Sequence, residues 1–90
     1  MRINVLSNDP EGMTLALEGK IDAEALRQID RLIKGSRQNR IVLDLGEVTL
    51  LDRVAARFLA GQLRRGCELM NCPLYIKHWI LRGAAHEPNR

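Results

Sequence analysis

The sequence predicts a single α/β domain with one mixed sheet of about four strands and three helices. Two stretches near the amino terminus alternate apolar and polar residues on either side of a run of turn formers, which predicts an antiparallel hairpin. A third stretch, residues 41–45, is almost wholly apolar and lies between two helical patterns, as is typical of a buried parallel strand. Ninety residues suffice for only one such domain.

The hairpin strands are marked by apolar residues at every second position. These residues are Ile3, Val5, Met13, Leu15 and Leu17. Residues 7–12 separate the two strands and favour a turn, because Pro10 fixes one dihedral angle and Gly12 can adopt a positive one. We therefore expect the two strands to pair antiparallel.

The first two helices each follow an aspartate, Asp22 or Asp52, whose carboxylate can accept hydrogen bonds from N–H groups of the first turn. The expected apolar stripes are Ala25, Leu26, Ile29, Leu32 and Ile33 in the first helix, and Val54, Ala55, Phe58, Leu59 and Leu63 in the second. Gly35 and Gly66 are expected to end these helices. Residues 41–45 should form a central strand covered on both faces and reached by a parallel crossover.

The last third of the sequence predicts one more strand and one more helix. Residues 67–70 read as the strand, and Pro73 suits the first position of a helix over residues 74–81. Ile76 and Ile80 should face the core, because they are four residues apart and therefore share one side of the helix.

Composition and charge argue against several classes of function. The net charge of +3 comes largely from eleven arginines that are spread from Arg2 to Arg90, and only three residues are aromatic, so a nucleic-acid interface is not expected. The amino terminus lacks a signal peptide and no apolar run is long enough to span a membrane, which predicts a cytoplasmic protein without membrane insertion. Cys67 and Cys72 should then be reduced thiols.

Three short motifs carry a resemblance to a known family. They are Leu-Ala-Leu-Glu-Gly-Lys-Ile-Asp-Ala at residues 15–23, Ile-Val-Leu-Asp-Leu at residues 41–45 with Val48, Leu51 and Asp52, and then Leu59 and Gly66. In order and spacing the chain resembles the STAS domain of bacterial anti-sigma factor antagonists from about residue 13 to residue 82. The resemblance implies a mixed sheet with helices and a role in regulating transcription through protein partners.

The resemblance also locates an expected binding surface. In the family, the aspartate that corresponds to Asp52 precedes a Ser-Ser/Thr-Gly-Leu sequence, and the partner kinase phosphorylates the first serine to control binding of the anti-sigma factor. This chain has Arg-Val-Ala-Ala at residues 53–56, so the acceptor hydroxyl is absent and switching at that position is not expected. The expected partner-binding residues are Asp22, Asp52, Arg53, Val54, Ala56 and Arg57.

Arg53 is compatible with several functions. A cation in the first turn of a helix interacts unfavourably with the helix dipole, so a binding role is one explanation for its presence. The leading hypothesis is a non-catalytic interaction module that binds an anti-sigma factor or a kinase-like partner, with Arg53, Arg57 and Arg64 facing an acidic surface. A second hypothesis, drawn from the same resemblance, is a cytoplasmic accessory subunit that binds the ATPase subunit of a phospholipid-trafficking ABC transporter. A third is a sensor that binds a nucleotide or another small anion at the helix terminus. The alternative to all three is that these arginines are solvated and cover the surface with their stems.

Catalysis and metal binding are not expected. Asp22 and Asp52 are explained as helix caps, whereas Asp44, within an apolar strand, either accepts hydrogen bonds from a neighbouring loop or lies partly exposed. Cys67, Cys72, His78 and His86 match no zinc spacing. The pKa of the Cys72 thiol could be lowered if Cys72 caps the last helix, but the sequence offers no general base and no oxyanion hole for a nucleophilic cysteine. The sequence therefore predicts no enzyme, no cofactor and no metal.

The end of the chain bears on self-association. Gly83 is expected to end the last helix, which gives a domain over residues 1–82 and a flexible tail over residues 83–90. The chain lacks the additional carboxy-terminal elements common in the family, so apolar residues of the last helix are left without an internal partner. Those residues are Tyr75, Trp79 and Leu81, and a homodimer could cover them.

Overall fold

A computed structural model describes residues 2–36 and 40–85 of the chain, with side chains described as far as Arg82. The elements are β1 (Arg2–Asp9), β2 (Gly12–Ile21), α1 (Ala23–Gly35), β3 (Ile41–Leu51), α2 (Arg53–Arg64), β4 (Glu68–Met70) and α3 (Leu74–Ala85). The strands form one sheet in the order β1-β2-β3-β4. β1 is antiparallel to β2, whereas β3 is parallel to both of its neighbours. The predicted fold class is confirmed.

The hairpin turn is tighter than the sequence predicted. Only Pro10 and Glu11 lie between the strands, because an Asp9 carboxylate oxygen accepts hydrogen bonds from the N–H groups of Glu11 at 3.0 Å and Gly12 at 3.1 Å. Gly12 does not adopt the positive φ that the turn composition suggested. Its role is steric, since a Cβ at that position would lie 2.9 Å from the carbonyl oxygen of Arg40.

The core lies on one face of the sheet, so the prediction that β3 is covered on both faces is wrong. Ile41, Leu43 and Leu45 are buried in one cluster with side chains from all three helices. Val42 and Asp44, which point the other way, are only half-buried. Because the described helices bury their apolar side chains in that single cluster, the opposite face of the sheet is left with half-buried and exposed residues.

β3 changes its side-chain period half-way along. Its buried residues are spaced by two from Ile41 to Leu45 and then by three, at Val48 and Leu51. The pairing with β2 shifts register twice in this segment, and each shift places one extra residue in β3. The two bulges therefore keep Leu45, Val48 and Leu51 on the core face.

α1 and α2 begin and end close to the predicted positions. Gly66 follows α2 with a φ of +102°, as expected for a residue that ends a helix, whereas Gly35 is the last residue of α1 and Ser36 caps it. Val54 is 59% exposed, so its place in the apolar stripe was predicted wrongly. The buried residues of α2 are Ala55, Ala56, Leu59, Ala60 and Gln62. At about 100° per residue, Val54 lies on the far side of the helix from them.

α3 is longer than predicted. Ile76 and Ile80 are buried as expected, at 1% and 0% exposure. The carbonyl of Pro73 accepts hydrogen bonds from Ile76 and Lys77, which places Pro73 just before the helix instead of at its first position. The helix continues past Gly83 to Ala85, so residues 83–85 are helical and the rest of the expected tail, residues 86–90, lies outside the described residues. No helix in the described ranges is long and apolar enough to cross a membrane.

Candidate protein-interaction surface

Two helices begin side by side at one edge of the sheet. β2 and β3 are parallel, and their last residues, Ile21 and Leu51, are register partners. The residue that follows each strand is an aspartate that caps the next helix. Asp22 accepts a hydrogen bond from the N–H of Ala25 at 3.0 Å, and Asp52 accepts one from Ala55 at 2.8 Å. The parallel pairing therefore brings two capped helix termini to the same end of the molecule.

Both aspartates act as caps, as the sequence predicted. The hydrogen bond from the Ala25 N–H lowers the pKa of the Asp22 carboxyl below its ordinary value, because the bond stabilises the charged form. A free anion at either helix terminus would be repelled by the carboxylate of the capping aspartate, Asp22 or Asp52, which already binds an N–H group there. The caps therefore make this edge a poor anion site and leave it with a structural function.

The first turns of α2 contribute exposed residues to this edge. Arg53, Val54 and Arg57 are all exposed, and we call these three residues the α2 surface. Val54 is an exposed apolar side chain whose exposed neighbours on α2 are two cations, and the first turn of α2 contains no acidic residue. Ala56 was expected to contact a partner, but it is 1% exposed and packs in the core, so its side chain does not belong to this surface.

Asp44 stabilises the bulge in β3. One of its carboxylate oxygens accepts a hydrogen bond from the N–H of Gly46 at 2.9 Å, and both accept from the side-chain amide of Asn71 at 3.3 Å. Asn71 follows β4 with a φ of +54°, a conformation that asparagine tolerates better than most residues. Both alternatives considered for Asp44 thus apply: it is half-buried and it binds neighbouring loop groups.

The similarity to one solved structure identifies the fold. It is the "Structure of the Anti-Sigma Factor Antagonist SpoIIAA in its Unphosphorylated Form", which superposes with a TM-score of 0.72 over 92% of this chain and 82% of that chain. The chain has the STAS fold. The two sequences are 16% identical, so the likeness concerns the fold alone. No protein-family model matches this sequence, and no curated protein matches it either.

Within the STAS fold, the apolar residues of α3 do not form one surface. Tyr75 and Trp79 are 56% and 50% exposed and lie one turn apart on the same flank, and the Tyr75 hydroxyl donates to the carbonyl of Thr49 at 3.3 Å. Leu81 is also exposed, but it follows Trp79 by two residues and therefore points about 200° away from it. Tyr75 and Trp79 therefore share one flank of α3, and Leu81 lies on another.

The cysteines are free thiols in buried or half-buried positions. Burial raises the pKa of the Cys67 thiol, which lies 3.6 Å from the side-chain oxygen of Gln62. Burial also raises the pKa of the Cys72 thiol, so the alternative of an acidified Cys72 is wrong. Among the described residues, which include His78 but not His86, no three His, Cys, Asp or Glu side chains come together as metal ligands.

The sequence analysis missed a groove between α1 and α2. Its volume is about 730 Å³, and its lining residues are Leu26, Arg27, Asp30, Lys34, Arg57, Phe58, Gly61, Gln62, Arg64 and Arg65. In the sequence these cations are separated by up to thirty-eight positions, from residue 27 to residue 65, and looked dispersed. The helical spacing of Arg27 and Lys34 and of Arg57 and Arg64, seven residues in each case, was the signal that could have revealed them.

Proposed function

We propose that this chain is a non-catalytic protein-interaction domain that binds an anti-sigma factor or a related kinase-like protein in the bacterial cytoplasm. The observation that carries the proposal is the α2 surface, where Val54 is 59% exposed between the exposed cations Arg53 and Arg57. An apolar side chain flanked by arginines suits a protein interface, since arginine is enriched at interfaces and a buried apolar contact supplies affinity.

The proposed binding is independent of phosphorylation at position 53. Residues 53–56 are Arg-Val-Ala-Ala, so this turn of α2 offers a kinase no hydroxyl. Arg53 also places a positive charge where a phosphoserine would place a negative one. A partner surface rich in acidic residues would therefore complement this turn at all times, whereas a phosphorylated serine would repel it.

A protein partner explains the α2 surface better than a small anion does. The carboxylate of Asp52 already accepts the N–H of Ala55 and places a negative charge at the terminus where an anion would bind. Val54 contributes nothing to anion binding, yet 59% of it is exposed at this terminus. The proposal therefore assigns Arg53 and Arg57 to an interface and not to a ligand pocket.

Substitutions on the α2 surface test the proposal. We expect Val54→Asp and Arg53→Glu each to weaken binding to a purified anti-sigma factor by about tenfold or more, because they remove an apolar contact or reverse a charge. Leu74→Asp is the matched control, since Leu74 is an 81% exposed apolar residue in the first turn of α3. Equal losses for Leu74→Asp and Val54→Asp, measured by calorimetry, would contradict the assignment of the α2 surface.

The same assay separates the two protein partners. Binding of the chain to the ATPase subunit of a phospholipid transporter, with no binding to any anti-sigma factor tested, would reject the leading partner and retain the interaction module. The loss caused by Val54→Asp in that complex would show whether the same surface is used.

We also propose that Tyr75 and Trp79 mediate weak self-association, since both rings are exposed on one flank of α3. Sedimentation velocity over a range of protein concentrations tests this proposal. We expect Trp79→Ser to abolish any concentration-dependent increase in mass and Leu81→Ser, on the opposite side of the helix, to leave it unchanged.

A further inference from the structure

The groove between α1 and α2 concentrates the positive charge of the protein. Among the described residues, its lining includes five cations and one acid, Asp30, which already pairs with Lys34 at 3.1 Å. The whole chain has fourteen Lys and Arg and eleven Asp and Glu, so the remainder has nine cations and ten acids. The excess positive charge of the sequence is thus located in this one groove.

Helix stability explains only part of this arrangement. Lys34 and Arg64 lie in the last turns of α1 and α2, where cations interact favourably with the helix dipole. Arg27 and Arg57 lie nearer the amino-terminal ends, where that benefit is absent. Both helices follow parallel strands and run in the same direction, which places Arg27 and Arg57 at the same level on opposite rims. Two like charges that line one groove repel each other, and an anionic partner would relieve that repulsion.

The floor of the groove is largely apolar. Leu26 is 8% exposed, Phe58 is half-buried, and Gly61 presents no side chain between the two rims. The lining extends over residues 26–34 of α1, which is two turns or about 12 Å. A helix that runs along the groove would contact this floor over about two turns, or about eight residues.

We propose that the groove binds an amphipathic helix of a different protein, one with a stripe of apolar side chains flanked on both sides by Asp or Glu. The apolar stripe contacts Leu26, Phe58 and Gly61, while the acidic flanks face Arg27 on one rim and Arg57 and Arg65 on the other. The charge pairs fix the register of the helix, and the apolar floor supplies the buried area.

Other occupants fit the groove less well. A small phosphate compound prefers the N–H groups of helix amino termini, but this groove ends at the carboxy-terminal turns of α1 and α2, where the carbonyl groups disfavour anions. A single strand of nucleic acid requires exposed aromatic platforms, and Phe58 is half-buried. A second copy of this chain is a poor occupant, because α2 and α3 have no acidic residue and α1, which has Glu24 and Asp30, buries its own apolar stripe in the core.

The inference does not depend on the α2 surface, and the test uses groove residues other than Arg57. The probe is a fluorescent peptide of about 18 residues, long enough to be helical, with leucines at helical spacing and glutamates on both flanks. A peptide of the same composition in permuted order is the control. We expect the striped peptide to bind the full chain and to shift the amide resonances of α1 and α2, and the permuted peptide to bind about tenfold more weakly.

Charge reversals identify the rims. Arg27→Glu and Arg65→Glu should each weaken peptide binding by about tenfold, whereas Arg31→Glu, an exposed residue of α1 outside the groove, should weaken it by less than about threefold. Val54→Asp should have no effect, which separates this inference from the proposed function. Equal losses for Arg27→Glu and Arg31→Glu, equal binding of the permuted peptide, or displacement of the peptide by inorganic tripolyphosphate would each overturn the proposal.

Discussion

Gly12 shows how one missing side chain lets two segments meet. The N–H of the next residue, Met13, donates to the carbonyl of Arg40 at 2.8 Å, and a Cβ on Gly12 would lie 2.9 Å from that same oxygen. The clashing atom is the backbone oxygen of Arg40, which cannot move aside as the end of a flexible side chain can. The glycine is therefore required by the approach of β2 to the start of β3 and not by the turn that precedes it.

Replacement of Gly12 tests this reading. We expect Gly12→Ala to lower the free energy of unfolding by about 1 to 3 kcal/mol, because the methyl group forces the backbone of Arg40 away. Gly35→Ala is the matched control, since no atom lies within 4 Å of its added Cβ, and alanine in a helix should stabilise the protein by about 0.5 to 1 kcal/mol. Urea unfolding at neutral pH measures both changes. Equal effects of the two substitutions would refute the steric explanation.

The Asp22 cap makes part of the stability dependent on pH. The Ala25 N–H lowers the pKa of this carboxyl in the folded state, so its contribution is fully present above the pKa of the unfolded chain and is lost as the pH falls through the folded value. We expect Asp22→Ala to be less stable than the native chain at pH 7, with the difference shrinking as the pH approaches about 2. Asp22→Asn caps the helix without a charge, so its free energy of unfolding should vary less with pH than that of the native chain. A difference for Asp22→Ala that is constant between these pH values would contradict this account.

At the scale of elements, β3 depends on local hydrogen bonds for its unusual course. The two bulges allow residues spaced by three to remain on the core face, and Asp44 stabilises the first of them through the N–H of Gly46. A Cβ on Gly46 would lie 3.2 Å from the Asp44 carboxylate and 3.3 Å from the Cβ of Asn71. The aspartate, the glycine and the asparagine thus form one compact unit beside the end of β4.

Removal of the Asp44 carboxylate should destabilise this unit. We expect Asp44→Ala to cost about 1 kcal/mol of unfolding free energy, whereas Asp44→Asn, which keeps an acceptor for Gly46, should cost about half as much. Glu47→Ala removes the same charge from an exposed position of the same strand and should have little effect. Thermal unfolding distinguishes the three variants, and an equal loss for Glu47→Ala would show that net charge and not the bulge is responsible.

The buried residues of a helix could be predicted where apolar side chains recur at helical spacing. α1 was predicted from its cap and its stripe, although Leu32 is 36% exposed. In α2, Val54 was assigned to the core on its hydrophobicity, but Ala56 and Ala60 are the residues that pack there. Small side chains carry a weak apolar signal, so the face of a helix that packs through alanines is easily assigned one position too early.

At the scale of the whole molecule, the order of elements and the parallel pairing could be predicted because strand and helix periods alternate along the chain. That the core lies on only one face of the sheet could not be predicted. An apolar residue such as Val42 suggests a covered face, although Val42 is only half-buried. The groove between α1 and α2 could not be predicted either, because its charges come together only when two helices lie side by side. The sequence therefore predicts the fold well and the surfaces poorly.

The two proposed partner surfaces lie side by side on α2. The α2 surface lies at the edge where β2 and β3 end, and the groove lies between α1 and α2, lined by side chains within residues 26–34 and 57–65. Arg57 borders both, so one partner could occupy the two sites in continuity. The proposed function requires only the α2 surface, and it is this surface that a direct measurement should address.

That measurement is the calorimetric titration of the chain with a purified anti-sigma kinase, in the presence of ADP and again after incubation with ATP and magnesium. Because residues 53–56 contain no hydroxyl, we expect the same dissociation constant in both conditions and no phosphate on the chain by mass spectrometry. Val54→Asp should weaken both titrations equally. Loss of binding after incubation with ATP, accompanied by a phosphorylated chain, would contradict the central claim, as would the absence of any complex.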